Sequence, residues 1–197
     1  MENYRRQYPL FSACGLNCGL CPRYHTDGKS RCPGCAGEGF STVHPSCGVL
    51  SCCRRKNVEY CFLCGDYPCK KYDGADLSDS FITHKNQLCD LDKAKRIGMV
   101  AYEIELDEKV RALGELLNNY DDGRRKSLYC VAVNLLDLPD VKAIMKQLNG
   151  ECEPEMPVKS KAAVAVRLIE GMAEKRAVSL QLRKKAKAIA GGLPPAL

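Results

Sequence analysis

The sequence predicts a chain that is α-helical overall. A small metal-bound, cysteine-rich module, mostly loops with little regular structure, precedes a mainly α-helical domain, with room for one or two short strands. Three observations carry that reading. Eleven of the 14 cysteines fall between Cys14 and Cys69, in a stretch poor in Leu, Ile, Val and Phe. From residue 83 onward apolar side chains recur at helical spacing. The 197 residues suffice for one compact domain or two small ones. The expected division is a metal-binding module over 1–73, a polar linker over 74–82, and a helical domain with a basic end over 83–197.

Taken in order, the module is broken by "CPGC", "GEG" and "HPSCG", Gly and Pro clusters that mark tight loops. The spacing then predicts a helix over 83–98 on Leu88, Leu91 and Ile97, with Gly98 as its stop. A second is expected over 107–120 on Val110, Leu113, Leu116 and Leu117. A strongly apolar third covers 124–136, and a fourth over 138–149 carries Pro139 near its start, where a missing N–H does no harm. The Ala-rich segment 160–175 makes a fifth, with Ser160 as its expected cap. Over 177–185, Val178, Leu180 and Leu182 alternate, the period of a short strand.

Composition narrows the function classes. No run approaches 18 consecutive apolar residues, so no membrane span is expected. The opening "MENYRRQYPLFSAC" has no apolar run of the secretory kind, which points to the cytoplasm and to thiols rather than disulfides. The net charge is +6, and the segment from Val158 onward, with nine Lys or Arg against two Glu, accounts for all of it. Such an end suits phosphate contacts, but it has no aromatic residues for base stacking, so a solvated tail is the simpler expectation and nucleic acid is not the favoured partner. Arg124, Arg125 and Lys126 at a helix start also suggest an anion site, against the plainer reading of a surface turn. No phosphate loop, nucleophile elbow or zinc-protease motif is present, so no catalytic group can be named.

The cysteines are the informative feature. A C-x2-C pair folds into a tight turn that aims two sulfurs at one ion, and two such turns complete a tetrahedron. The chain has three pairs, Cys18/Cys21, Cys32/Cys35 and Cys61/Cys64, with Cys47 and Cys52 spaced wider and Cys14 and Cys69 flanking. These ten are the candidate ligands; Cys53 is a spare beside Cys52, while His25 and His44 are more simply exposed loop histidines. One partition puts Cys18, Cys21, Cys32 and Cys35 on one ion and Cys47, Cys52, Cys61 and Cys64 on another; other pairings fit the spacing equally well. Zinc, two or more ions per chain, is the expected metal, held to fold the chain. The alternative is a [4Fe–4S] cluster serving electron transfer or redox sensing, since cysteine spacings for zinc and iron overlap. The C-x3-C-x2-C run at Cys14, Cys18 and Cys21 also equals the cluster motif of radical S-adenosylmethionine enzymes, but no βα repeats follow it.

"CGLNCGLCPRY", then "CPGC", then "CGVLSCCRRKNVEYCFLCGDYPCKKY" resembles the domain-of-unknown-function family 3795 of bacteria and archaea, over about residues 12–73. The resemblance takes in Cys14, Cys18, Cys21, Cys32, Cys35, Cys47, Cys52, Cys61, Cys64 and Cys69 and leaves Cys53 out. It implies zinc binding and no established reaction. The expected role is a metal-stabilised module that presents an interaction surface to an unknown protein partner.

Overall fold

The structure, a computed structural model, describes residues 6–75 and 77–184. Within them lie seven α-helices: α1 (Phe40–Val43), α2 (Gly48–Lys56), α3 (Gln87–Ile97), α4 (Met99–Asn119), α5 (Lys126–Leu135), α6 (Leu138–Glu151) and α7 (Val158–Lys175). Four single 3-10 turns, at Cys18–Leu20, Gly28–Ser30, Cys61–Leu63 and Lys70–Tyr72, punctuate the cysteine-rich stretch. The longest element, α4, buries Tyr102, Leu106, Lys109, Leu113 and Leu116 along one stripe and leaves Val100 and Ile104 exposed on the other side. It packs on α3, α5 and α6, and α7 lies against α6. The central helix α5 is buried from Tyr129 to Leu135, and the Tyr129 hydroxyl donates to the Tyr120 carbonyl at 2.8 Å.

Gly98 ends α3 and begins α4 at once, at φ +86 and ψ 150. That is why α4 starts eight residues before the expected 107: Tyr102 and Leu106 already belong to its buried stripe. The start of α7 also differs, since Pro157 precedes its first turn and Ser160 lies inside it. The cysteine-rich stretch holds two helices that its Gly and Pro pattern concealed, the single-turn α1 and the longer α2, which Asn57 closes in the left-handed conformation.

The expected short strands are absent among the described residues. Positions 178–182 do alternate inward and outward, and Leu180 packs on the core, but the chain there finds side chains instead of a ladder. Lys85 Nζ donates to the carbonyls of Ser179 and Gln181 at 2.6 and 2.9 Å. The fully buried Asp79 carboxylate accepts from the Arg183 backbone N–H at 2.7 Å, from its guanidinium at 2.8 Å, and from the His84 N–H at 2.7 Å. The polar segment expected as a linker is thereby fastened to the end of the helical part; residue 185 and those after it lie outside the described residues.

One hydrophobic cluster runs through both halves of the sequence, joining Phe11, Leu20, Leu50, Cys53 and Tyr60 to Leu91, Leu113, Tyr129, Leu148 and Ile169. Near the start of the chain, Arg6 donates to the Glu59 and Phe11 carbonyls and stacks 4.5 Å over the Tyr60 ring. No helix among the described residues is long and apolar enough to cross a membrane.

Candidate metal centre

The loop that carries Cys14, Cys18 and Cys21 is seated on three helices. Gly15 sits at φ +94 against α3, so close that a Cβ would lie 2.3 Å from the Gln87 carbonyl oxygen and 2.6 Å from Leu91 Cγ. The Cys14 carbonyl accepts from Gln87 Nε2 at 3.0 Å and from the Tyr72 hydroxyl at 3.3 Å. Beneath the 3-10 turn, buried Asn17 donates to Asp90 Oδ2 of α3 at 2.8 Å and to Asn134 Oδ1 of α5 at 3.2 Å. It also accepts from the Tyr102 hydroxyl of α4 at 2.9 Å. Burial pushes the Asp90 carboxyl up to about 6, against the pull of nearby Lys109. The residues between the cysteines are thus docking residues: Gly15 permits close approach, and Asn17 makes the polar joint.

The cysteines fall into two neighbouring groups. In the first, Cys18 lies near enough to Cys35, Cys14, Cys21 and Cys32 for their charges to interact, and Cys47 stands in the same relation to Cys14 and Cys35. Ser12 Oγ is 3.1 Å from Cys14 Sγ. Cys47 caps α2, its sulfur accepting the Leu50 N–H at 3.4 Å. Burial raises the Cys14 thiol to about 11 and holds Cys18, Cys21 and Cys35 above the ordinary thiol range, so these sulfurs favour the protonated form at neutral pH.

The second group lines a cavity of about 130 Å³ walled by Cys52, Cys53, Cys61, Cys64 and Cys69, with Lys56, Asp66, Tyr67, Lys71 and Tyr72 around them. It adjoins the first group through the Cys61 N–H, which donates to the Ala13 carbonyl at 2.9 Å, and the Tyr72 hydroxyl on the Cys14 carbonyl. Lys56 Nζ lies 3.2 Å from Cys64 Sγ and pairs with Asp66. Cys53, set aside by the spacing as a spare, stands with its sulfur 3.6 Å from Cys61 Sγ, both side chains buried. The hydrogen bond from Cys53, helped by one from Tyr72, holds the Cys61 thiol down at about 7, and the same contact pushes Cys53 up.

These donors suit a soft divalent ion: all 14 cysteines are free thiols, and sulfur is what zinc or iron takes. The sulfurs are gathered without being closed on a point, since no group of three or more His, Cys, Asp or Glu side chains among the described residues is arranged to hold an ion. Each loop histidine has one ring nitrogen on a backbone carbonyl, His25 Nε2 on Gly19 at 2.8 Å and His44 Nδ1 on Pro45 at 2.7 Å. Cys89 is exposed, Cys130 is buried within α5, and Cys152 follows α6.

The expected anion site at 124–126 is already supplied from within. Asp121 accepts the N–H groups of Gly123 and Arg125, both at 2.9 Å, and Asp122 accepts that of Arg124 at 3.1 Å. Lys126 Nζ donates to the His25 carbonyl at 2.6 Å and to Thr26 Oγ1 at 3.2 Å.

The fold and site define a helical protein whose N-terminal stretch gathers free thiols. Residues 10–74 match the model of a family described as a protein of unknown function (DUF3795). That match bears out the resemblance carried by the cysteine spacing, and it takes in all ten expected ligands, though only a third of the chain. No curated protein and no solved structure matches the chain.

Proposed function

We propose that the cysteine-rich stretch is a zinc-thiolate module whose metal stabilises the fold and lets the module present a surface to a protein partner. The observation that carries it is the assembly of eleven unoxidised cysteines, from Cys14 to Cys69, into two adjoining groups. Leaving so many soft donors together without a cation brings no structural gain that apolar side chains would not provide better. In this reading four of Cys14, Cys18, Cys21, Cys32, Cys35 and Cys47 hold one ion, and four of the five cavity cysteines hold a second. Bound zinc would supply a closed tetrahedral staple, contributing on the order of 10–16 kcal/mol where the site forms only on folding. That matches or exceeds the roughly 5–15 kcal/mol that stabilises a whole domain, so the metal would decide whether this stretch folds.

The chain's own part is to position and to neutralise. Gln87, Tyr72 and Asn17 hold the Cys14–Cys21 loop, and Lys56 and Lys71 set positive charge beside the second group. Exposed Leu63 and Phe81 near the module supply apolar area for a partner.

Elemental analysis with a visible spectrum, on protein purified without oxygen, tests the reading. About two colourless zinc ions per chain are expected, with unfolding of residues 10–74 when a strong chelator is added. Iron and sulfide in equal amounts with a brown absorbance would replace zinc by a cluster and make redox chemistry the function. Protein that folds without metal would end the proposal.

A further inference from the structure

We infer that Cys53, the cysteine outside the family spacing, is the sulfur that α2 contributes to the second metal, together with Cys61, Cys64 and Cys69, in place of Cys52. This rests on the zinc-thiolate reading above. A tetrahedral site with metal–sulfur bonds of about 2.3 Å has sulfurs about 3.8 Å apart. Cys53 and Cys61 already stand at 3.6 Å, one edge of such a tetrahedron. Cys53 and Cys61 are also the two buried cysteines of the cavity, 2% and 9% exposed, whereas Cys52, Cys64 and Cys69 are half-buried.

Helix geometry makes the two cysteines alternatives. Successive residues of an α-helix point about 100° apart, so α2 can aim one of the two sulfurs at the place that Cys61 faces. The rest of the donor set lines the same cavity, and the Lys56 ammonium 3.2 Å from Cys64 Sγ fixes the last turn of α2 against the Cys61–Leu63 turn. Four thiolates around a divalent cation leave a net charge of −2, and Lys56 and Lys71 on the cavity wall offset it. Cys47, which one partition of the spacing places with Cys52, is engaged with the first group, close to Cys14 and Cys35.

The test is cobalt titration of the full chain without oxygen, comparing wild type, Cys52→Ser and Cys53→Ser, with zinc affinity measured against a chromophoric chelator. Cys53→Ser should lose one thiolate-to-cobalt contribution in four from the second site. It should also weaken that site by more than the 10–100-fold that loss of an outer hydrogen bond costs. Cys52→Ser should keep the full absorbance and affinity. The reverse pattern, or an unchanged Cys53→Ser spectrum, overturns the assignment and leaves the metal module standing. If Cys53→Ser fails to fold, Cys52→Ser decides alone: full signal supports Cys53, and a lost quarter refutes it. Wild-type chain that takes up no cobalt refutes the zinc-thiolate reading itself, and this assignment with it.

Discussion

Gly15→Ala perturbs the tightest glycine contact among the described residues. Gly15 lies at φ +94, where an L residue is strained by roughly 1–2 kcal/mol. Its new Cβ would meet a backbone oxygen of α3 at 2.3 Å and Leu91 Cγ at 2.6 Å, distances that force the loop or the helix to move. Leu91 is fully buried, so relief has to come from displacing packed atoms, at about 1–3 kcal/mol more. The expected loss is therefore about 2–5 kcal/mol. Gly28 supplies the control, for it also has a positive φ, +78, but nothing lies within 4 Å of its would-be Cβ. Gly28→Ala should cost only the strain, about 1–2 kcal/mol. Urea unfolding of both variants and wild type in one metal-containing buffer reads the difference directly. Metal retained after dialysis should fall in Gly15→Ala alone, because Cys14 and Cys18 flank the displaced residue. Equal losses in the two variants would show that the loop does not seat on α3 as described, and the account of how the fold positions the first thiol group would fail.

Two further outcomes follow from buried carboxylates. Burial opposes ionisation of Asp79, yet its hydrogen bonds from Arg183 and His84 hold the carboxyl down at about 2 against an ordinary 3.8. Its stabilising share is thus fully present above pH 4 and lost as pH falls through 2; Asp79→Asn should remove that dependence and speed proteolysis after residue 176, and an unchanged digestion pattern would count against the clasp. Asp90 has the opposite sign: raised to about 6 by burial, it stabilises least above pH 6 and becomes less costly as pH falls from there toward 3.8. Its carboxyl carbon resonance should titrate near 6 in the folded protein, and a midpoint near 4 would contradict the buried Asn17–Asp90–Tyr102 joint.

Periodicity made the helical half legible. Leu113 and Leu116 of α4, and the apolar run that became α5, declared their inward faces by spacing alone. Local chemistry marked the start of α6, where Pro139 stands in the first turn. What escaped was set by tertiary partners. Tyr102 and Leu106 extend α4 because Gly98 joins two helices without a loop, whereas a lone Gly reads as a stop. Alternation at Val178, Leu180 and Leu182 read as a strand, but the chain there forms no ladder, and Asp79 and Lys85, about 100 positions away, hold it instead. The ten cysteines of the expected ligand set were visible as a pattern, yet their grouping was not. Spacing along the chain does not say that Cys47 turns toward Cys14 while Cys53 turns toward Cys61. Asn17 was unreadable for the same reason, since all three of its partners lie more than 70 residues away.

That distance along the sequence matters while the chain is being made. Ribosomes deliver the N-terminus first, and units that fold early do so before later residues exist. Here all eleven clustered thiols emerge ahead of Gln87, Leu91, Asp90, Tyr102 and Asn134, the surfaces on which the Cys14–Cys21 loop comes to rest. Until about residue 135 has left the exit tunnel, the loop lacks its complete seat, and its sulfurs stand open to oxidants. The nascent chain therefore passes through a thiol-exposed interval whose length is set by how late α5 appears.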